Sequence, residues 1–289
     1  MNVLNIEHVS KIYGEKRIFD DVSYGIHEGD KIGIIGINGT GKTTLLKIIS
    51  GLQFPNNGTC TVDDFIPSER NPYFLQNIFY LPEEVITENT TPEYFINKLG
   101  VFYPRYDHSY FLNLMKELEV DYTKKFDAMS YGQKKKSLLA CALSLRTDYL
   151  LLDEPTNGLD IPSKALFRKV ILQHGTDAAS TDAASYVPTI IISTHQVKDV
   201  ENLIDPIVIL DHDEVLLNAT FEEISSKLYF DYSSEKSDDA LYTELIPGGY
   251  INVLPNKFDM ESKVNVEALF NAVRNNKNKI REIFAMSNQ

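Results

Sequence analysis

Cysteine is scarce in this 289-residue sequence: Cys60 and Cys141 stand far apart and form no CxxC pair. Metal and redox roles for them are not expected, and both are read as buried free thiols. Basic residues are also in deficit. Twenty-eight Lys and Arg face 41 Asp and Glu, a net charge of −13, which excludes a chain-wide basic surface for nucleic acid and leaves room only for a local patch. Long apolar runs are missing too. No stretch approaches the roughly 18–20 residues that span a bilayer. Residues 1–7 alternate like a strand and lack the basic and apolar regions of a leader. The expectation is a cytoplasmic chain, peripheral on the inner face of a membrane if it meets one, and then only through a partner. The apolar content is ordinary for a globular protein, and the length allows one large core or two modest ones.

What is present is a strand–helix alternation. Residues 3–7, 22–27 and 59–62 read as short strands of an antiparallel N-terminal flank. Residues 31–35 read as a buried strand, followed by a helix over 43–50 that Gly51 would cap. Short apolar strands recur at 78–81, 149–152, 189–193 and 207–210, with helical patterns between most of them. Continuously apolar strands alternating with helices predict an α/β fold whose parallel core sheet is covered on both faces. Residues 84–147 read as mainly helical, with starts near Pro92, Asp107 and Ser130. Thr-Asp-Ala-Ala-Ser occurs twice in succession at 176–185 and reads as a surface insertion. After residue 226 a polar, acidic linker is expected over 231–240. A hairpin across Pro247-Gly248-Gly249 follows, then a helix from Asn265 through Phe284.

Two motifs carry chemistry. Gly36-Ile37-Asn38-Gly39-Thr40-Gly41-Lys42-Thr43 fits the phosphate-loop pattern G-x-x-x-x-G-K-[ST]. Glycines let backbone N–H groups turn inward around phosphate oxygens, and the following helix points its positive end at the same anion. Gly36, Asn38, Gly39, Thr40, Gly41, Lys42, Thr43 and Thr44 are therefore the expected nucleotide-phosphate cradle, with Lys42 on the β- and γ-phosphates and the Thr43 hydroxyl on Mg2+. The motif alone does not separate a transport ATPase from a kinase or a GTPase. The second motif is an apolar strand ending in Asp153-Glu154 and followed by Pro-Thr-Asn-Gly-Leu-Asp160. Asp153 is expected to position Mg2+, and Glu154 to polarise the attacking water as general base.

Between these motifs lies Met129-Ser130-Tyr131-Gly132-Gln133. In order and spacing the three resemble the ATP-binding subunits of ABC transporters, across roughly residues 1–226. The resemblance implies a P-loop NTPase fold with an inserted helical subdomain at about 84–147 and a small C-terminal extension over 227–289. It implies that Ser130, Gly132 and Gln133 contact ATP held by a second ATP-binding subunit, a copy or a paralogue, and that Asp160 lies in the loop linking the two sites. It gives His195 the switch role at the γ-phosphate and Tyr13 the stacking on adenine. Two positions depart from the pattern. Tyr131 stands where the family has glycine, and Glu83 stands where it often has a glutamine near Mg2+ and the attacking water. Lys134, Lys135 and Lys136 read as a solvated helix face, while the resemblance also implies that a basic residue just after the loop helps bind an anion. A separate transmembrane permease is the implied partner, export the implied direction, and no nucleic-acid partner is expected. The alternative is a soluble ABC-type ATPase acting on ribosomes or DNA. Seven aromatics, Tyr94, Phe95, Phe102, Tyr103, Tyr106, Tyr110 and Phe111, lie in a subdomain too small to bury them all, so some should form an exposed docking patch.

Overall fold

Strands with almost no polar residues build the centre of this molecule, a computed structural model that describes residues 2–84, 87, 89–175, 186–212 and 214–285. In chain order the elements are β1 Asn2–Tyr13, β2 Lys16–His27, β3 Lys31–Ile35, α1 Lys42–Ile49, β4 Asn57–Val62, α2 Pro72–Leu75, β5 Ile78–Leu81, α3 Pro92–Gly100, α4 His108–Glu117 and α5 Tyr131–Ser144. There follow β6 Tyr149–Asp153, α6 Ile161–Gln173, β7 Thr189–Thr194, α7 Val197–Val200, β8 Ile207–Asp211, β9 Glu214–Ala219, α8 Phe221–Lys227, β10 Leu228–Ser233, β11 Tyr242–Ile246, β12 Gly249–Pro255, α9 Val266–Asn275 and α10 Lys277–Ala285.

The central sheet has the order β5-β6-β7-β3-β8-β9. Its first five strands run parallel and β9 pairs antiparallel with β8. β6, β7 and β8 are buried at every residue, as strands covered on both faces must be. β3 and β6 are separated in the sheet by β7, so the loops leaving their C-terminal ends come together at one rim.

The antiparallel flank, order β2-β1-β4, is longer than its sequence pattern predicts. β1 and β2 each run 12 residues rather than five or six. Register shifts after Ile6 and Val9, with left-handed backbone at His8 and Asp21, break the alternation that marks a strand in sequence.

The helical subdomain begins where its caps predict. Thr91, Asp107 and Ser130 each accept a bond from a backbone N–H of the helix that follows. Phe111 is fully buried, and Phe95, Tyr103, Tyr106 and Tyr110 pack partly buried against the core. Tyr94 and Phe102 remain exposed, beside exposed Val101.

Beneath the subdomain, His174 is buried between Tyr110, stacked at 5.9 Å, and Tyr186, edge-on at 5.6 Å. Its two ring nitrogens meet the two tyrosine hydroxyls at 3.1 and 3.2 Å. Burial pushes its pKa down to about 3, and the charges of Arg146 and Lys31 act the same way, so the ring is neutral. The Thr-Asp-Ala-Ala-Ser repeat between His174 and Tyr186 lies outside the described residues.

The C-terminal extension differs from its sequence reading in three ways. The expected linker over 231–240 is shortened: β10 begins directly after α8 and includes 231–233, and of that range only 234–240 lie outside strands and helices. Leu228 and Phe230 face inward, a period-2 signal too short to outweigh the polar residues around it. The expected hairpin is present as β11 and β12, with β10 adding a third antiparallel strand beside β12, and the last helix breaks at Asn276 into α9 and α10. The extension shares one hydrophobic cluster with the central sheet, through Ile251, Val253, Leu269 and Val273. Buried Asp211 holds it as well, meeting Lys277 at 2.9 Å and Arg274 at 3.4 Å.

Candidate functional site

β3 ends at Ile35 and the chain turns back at once into α1. Gly36 has to be glycine, because a Cβ there would lie 2.8 Å from the Leu210 carbonyl oxygen and 2.6 Å from the Thr40 hydroxyl. Gly39 and Gly41 take φ of +86° and +95°, which no β-branched residue tolerates. No side chain caps the α1 N-terminus. The Lys42 ammonium folds across the loop, donating to the Gly36 carbonyl at 2.8 Å and the Ile37 carbonyl at 3.2 Å. Asn38, Gly39 and Thr43 are exposed along the rim, Thr44 is half-buried, and Thr40 is buried.

β6 delivers the carboxylates to the same rim. Asp153 is buried and held on both oxygens, by the Tyr80 hydroxyl at 3.0 Å and by the Ser193 hydroxyl. Burial raises the Tyr80 pKa and the Asp153 charge raises it further, so this phenol stays a donor. Glu154 is a buried non-glycine residue at φ +45°, a conformation its surroundings must impose. Its amide N–H donates to the Ser193 carbonyl at 3.1 Å, and the Ser193 hydroxyl oxygen lies 3.2 Å away. This aims the carboxylate between Lys42, 3.3 Å from Oε1, and His195, whose Nδ1 is 2.9 Å from Oε2. Lys42, Asp153, Glu154 and His195, predicted separately from three stretches of sequence, thus converge.

The other predicted residues do not join them. Ser130 and Gln133 cap their own helix: Ser130 N–H donates to Gln133 Oε1 at 3.0 Å, and Gln133 N–H to Ser130 Oγ at 3.3 Å. Asp160 caps α6 through Ser163 N–H at 2.9 Å, a bond that holds its carboxyl below the usual range. Gly132 is half-buried in the first turn of α5, and Tyr13 is exposed near the tip of the β1–β2 hairpin. Glu83 accepts a bond from Asn157 Nδ2 at 2.5 Å.

Sequence reasoning missed four participants. Tyr80 and Ser193 read only as strand residues, and Asn157 as a loop residue. Lys135 is the fourth and a correction: it is not on a solvated face, because its ammonium turns inward to the Glu154 carbonyl at 2.7 Å and the Asn157 carbonyl at 2.9 Å. A positive charge three to five residues from a helix start gives no sign in sequence of which way it turns.

The rim suits the phosphate groups of a nucleoside triphosphate. Two positive-φ glycines and an uncapped helix start offer N–H groups to an anion, beside a lysine that can reach it. Glu154 Oε1 and His195 Nδ1 are buried with no hydrogen-bond partner among the described residues apart from their ionic contacts. No group of three or more His, Cys, Asp and Glu that could hold a metal occurs among the described residues. One hydroxyl and one carboxylate instead fit a hard cation that arrives on phosphate oxygens, as Mg2+ does.

Comparison with known proteins agrees. The ABC transporter ATP-binding protein YtrB of Bacillus subtilis (strain 168) is 30% identical over 226 residues, covering 78% of this chain and 74% of YtrB. The chain belongs to the ABC transporter ATP-binding family. The family model described as ABC transporter matches residues 19–157. The subunit therefore binds ATP and is an ATPase. The ribosome protection protein VmlR of the same organism is 36% identical over 174 residues, which is 59% of this chain and 29% of VmlR. In fold, the chain is similar to an ATP-binding cassette solved as a post-hydrolysis dimer with ADP and Pi. There the TM-score is 0.64 at 21% identity, over 75% of this chain and 98% of that one.

Proposed function

We propose that this ABC ATPase subunit powers an exporter, working as one of two ATP-binding subunits on a separate transmembrane permease. The Lys42–Glu154–His195 constellation at the phosphate loop, with Lys42 and Glu154 buried and His195 half-buried, supports the ATP-hydrolysing part of this reading. In it, Lys42 leaves its carbonyl contacts and Glu154 to bind the β- and γ-phosphates. Glu154 then accepts a proton from the attacking water, and His195 orients Glu154 and contacts the γ-phosphate. Thr43 and Asp153 would hold Mg2+, with Glu83 as a further candidate, and the ion would offset phosphate charge. Gly36, Asn38, Gly39, Thr40, Gly41 and Thr44 would line the phosphates and Tyr13 the base. Ser130, Gly132 and Gln133 would complete the site of the second subunit, with Asp160 at the junction. Residues 1–226 form the ATPase unit and 227–289 its extension.

The permease would meet the subdomain side. A cavity of about 240 Å³ opens there among Pro82, Glu83, Tyr131, Leu138 and Phe167, and Tyr94 and Phe102 are exposed on the same subdomain. No helix among the described residues is long and apolar enough to cross a membrane, so on this reading the chain docks on the cytoplasmic face. Co-purification tests it: the native protein should be recovered crosslinked to a small polytopic membrane protein. The similarity to VmlR supports a second reading, a soluble ATPase acting on ribosomes. Recovery with ribosomes and no membrane partner would favour that reading and overturn the first.

A further inference from the structure

Three otherwise separate pieces of the molecule meet around Lys135. Its ammonium, at the start of α5, donates to the carbonyls of Glu154 and Asn157, the first and fourth residues of the turn after β6. The Asn157 side chain continues the chain of contacts by donating to Glu83 Oε1 at 2.5 Å. Tyr131 closes the turn from above. A Cβ on Gly158 would lie 2.6 Å from the Tyr131 ring, so the ring packs where only glycine leaves room, and Lys135 lies 5.5 Å from the centre of that ring.

The position is electrostatically demanding. Lys135 is half-buried, and burial lowers its pKa while Glu83, Glu154, Asp153 and Glu84 act in the opposite direction. Glu83 stands first among those carboxylates. A positive charge with two fixed carbonyl contacts therefore sits between the residue that departs from the family pattern and the turn that carries Glu154.

We propose that Lys135 is a positioning residue for ATP hydrolysis: its ammonium fixes the turn that aims Glu154, and its charge balances that of Glu83, so that the 82–84 segment and the Glu154 turn act as one unit. This rests on the assignment of Glu154 as general base. Lys135 touches no reacting atom. It acts through the backbone, by holding a φ of +45° at Glu154 that a free turn would abandon.

The test is steady-state ATP hydrolysis by the purified full-length chain. Lys135→Met should lower kcat at least about tenfold while the KM for ATP stays within about threefold, since transition-state geometry is lost and ground-state binding is kept. Lys135→Arg, which retains charge and donors, should keep most of kcat. Adding Glu83→Gln to Lys135→Met should recover at least about threefold of the lost kcat, because the unbalanced charge goes with it. If Lys135→Met does not fold, Lys135→Gln carries the same comparison, keeping a donor without the charge. Normal kcat in the uncharged variants would overturn the proposal. So would a Glu83→Gln effect of the same size with and without Lys135. Glu154→Gln is measured in parallel. If it hydrolyses normally, the general-base assignment fails whatever Lys135 does. If it is inactive while Lys135→Met is normal, only the positioning role fails.

Discussion

At the phosphate-loop rim, Lys42, Asp153 and Glu154 are all buried, and each has an ionic or hydrogen-bonded partner within the chain. At the start of α5, Ser130 and Tyr131 are exposed, and the Ser130 side chain closes only on its own helix. Isolated charges cannot be desolvated cheaply, so the first region has to be assembled by the chain itself. A capped helix start on a surface costs nothing to leave open. On the function proposed above, the first region would be a nearly complete reaction centre, and the second a recognition surface for a second subunit to cover. A third region, at His174, buries a titratable group by keeping it neutral.

The largest effect is expected from Lys42→Ala, which should lower hydrolysis at least about a thousandfold by removing the charge opposite the phosphates. It should also lower the thermal midpoint, since Glu154 is left buried with His195 alone. A purified variant with near-normal turnover would remove the phosphate loop from the site.

Glu154→Gln should follow, slowing hydrolysis on the order of a hundredfold to a thousandfold with ATP binding intact. The amide keeps the shape and loses the basicity. Light scattering should then find a dimer that persists with ATP, because turnover no longer dissolves it. A monomer at every ATP concentration would count against the two-subunit reading.

Ser130→Ala separates the two ends. It should cost about 1 kcal/mol of stability as a lost helix cap. It should also reduce hydrolysis by less than about tenfold, leaving nucleotide binding by the monomer unchanged. Calorimetry and equilibrium binding give both numbers, and weakened binding in the isolated monomer would show that the Ser130 turn serves its own site.

His174 sets the smallest effect near neutral pH. The unfolded chain takes up the proton near pH 6.5 and the folded chain only near 3, so between these values the unfolded state binds more protons. The stabilising contribution is complete above pH 6.5 and is lost as pH falls towards 3, by up to about 1.4 kcal/mol per pH unit. Urea unfolding of wild type and His174→Phe at pH 7.5, 6 and 5 should show the flatter dependence in the variant. Parallel curves would mean that the ring is not held neutral.

Much of the site is legible in sequence because its signals are local. A glycine pattern, a lysine at a helix start and a carboxylate pair at a strand end each announce one backbone geometry. The central strands are legible for the same reason, since burial on both faces leaves nearly unbroken apolar runs. The helix starts at 92, 108 and 131 follow from Thr91, Asp107 and Ser130, cap residues that act within one turn. The N-terminal hairpin is less legible, because bulges at His8 and Asp21 disturb the period on which strand reading depends.

The sequence by itself determined the ATPase family, the α/β layering and the identity of Lys42, Asp153, Glu154 and His195. The layering and the candidates Lys42, Asp153 and Glu154 follow from residue type and spacing along the chain, whereas the family and the role expected of His195 came from the resemblance that the three motifs carry. Tertiary structure alone decided that Lys135 turns inward and Glu83 bonds Asn157, that Tyr131 covers Gly158, and that β10 follows α8 directly. These contacts join residues 19 to 74 positions apart, or depend on which face of an element turns inward. Such choices are made by packing and desolvation in the assembled fold, for which a linear pattern holds no record.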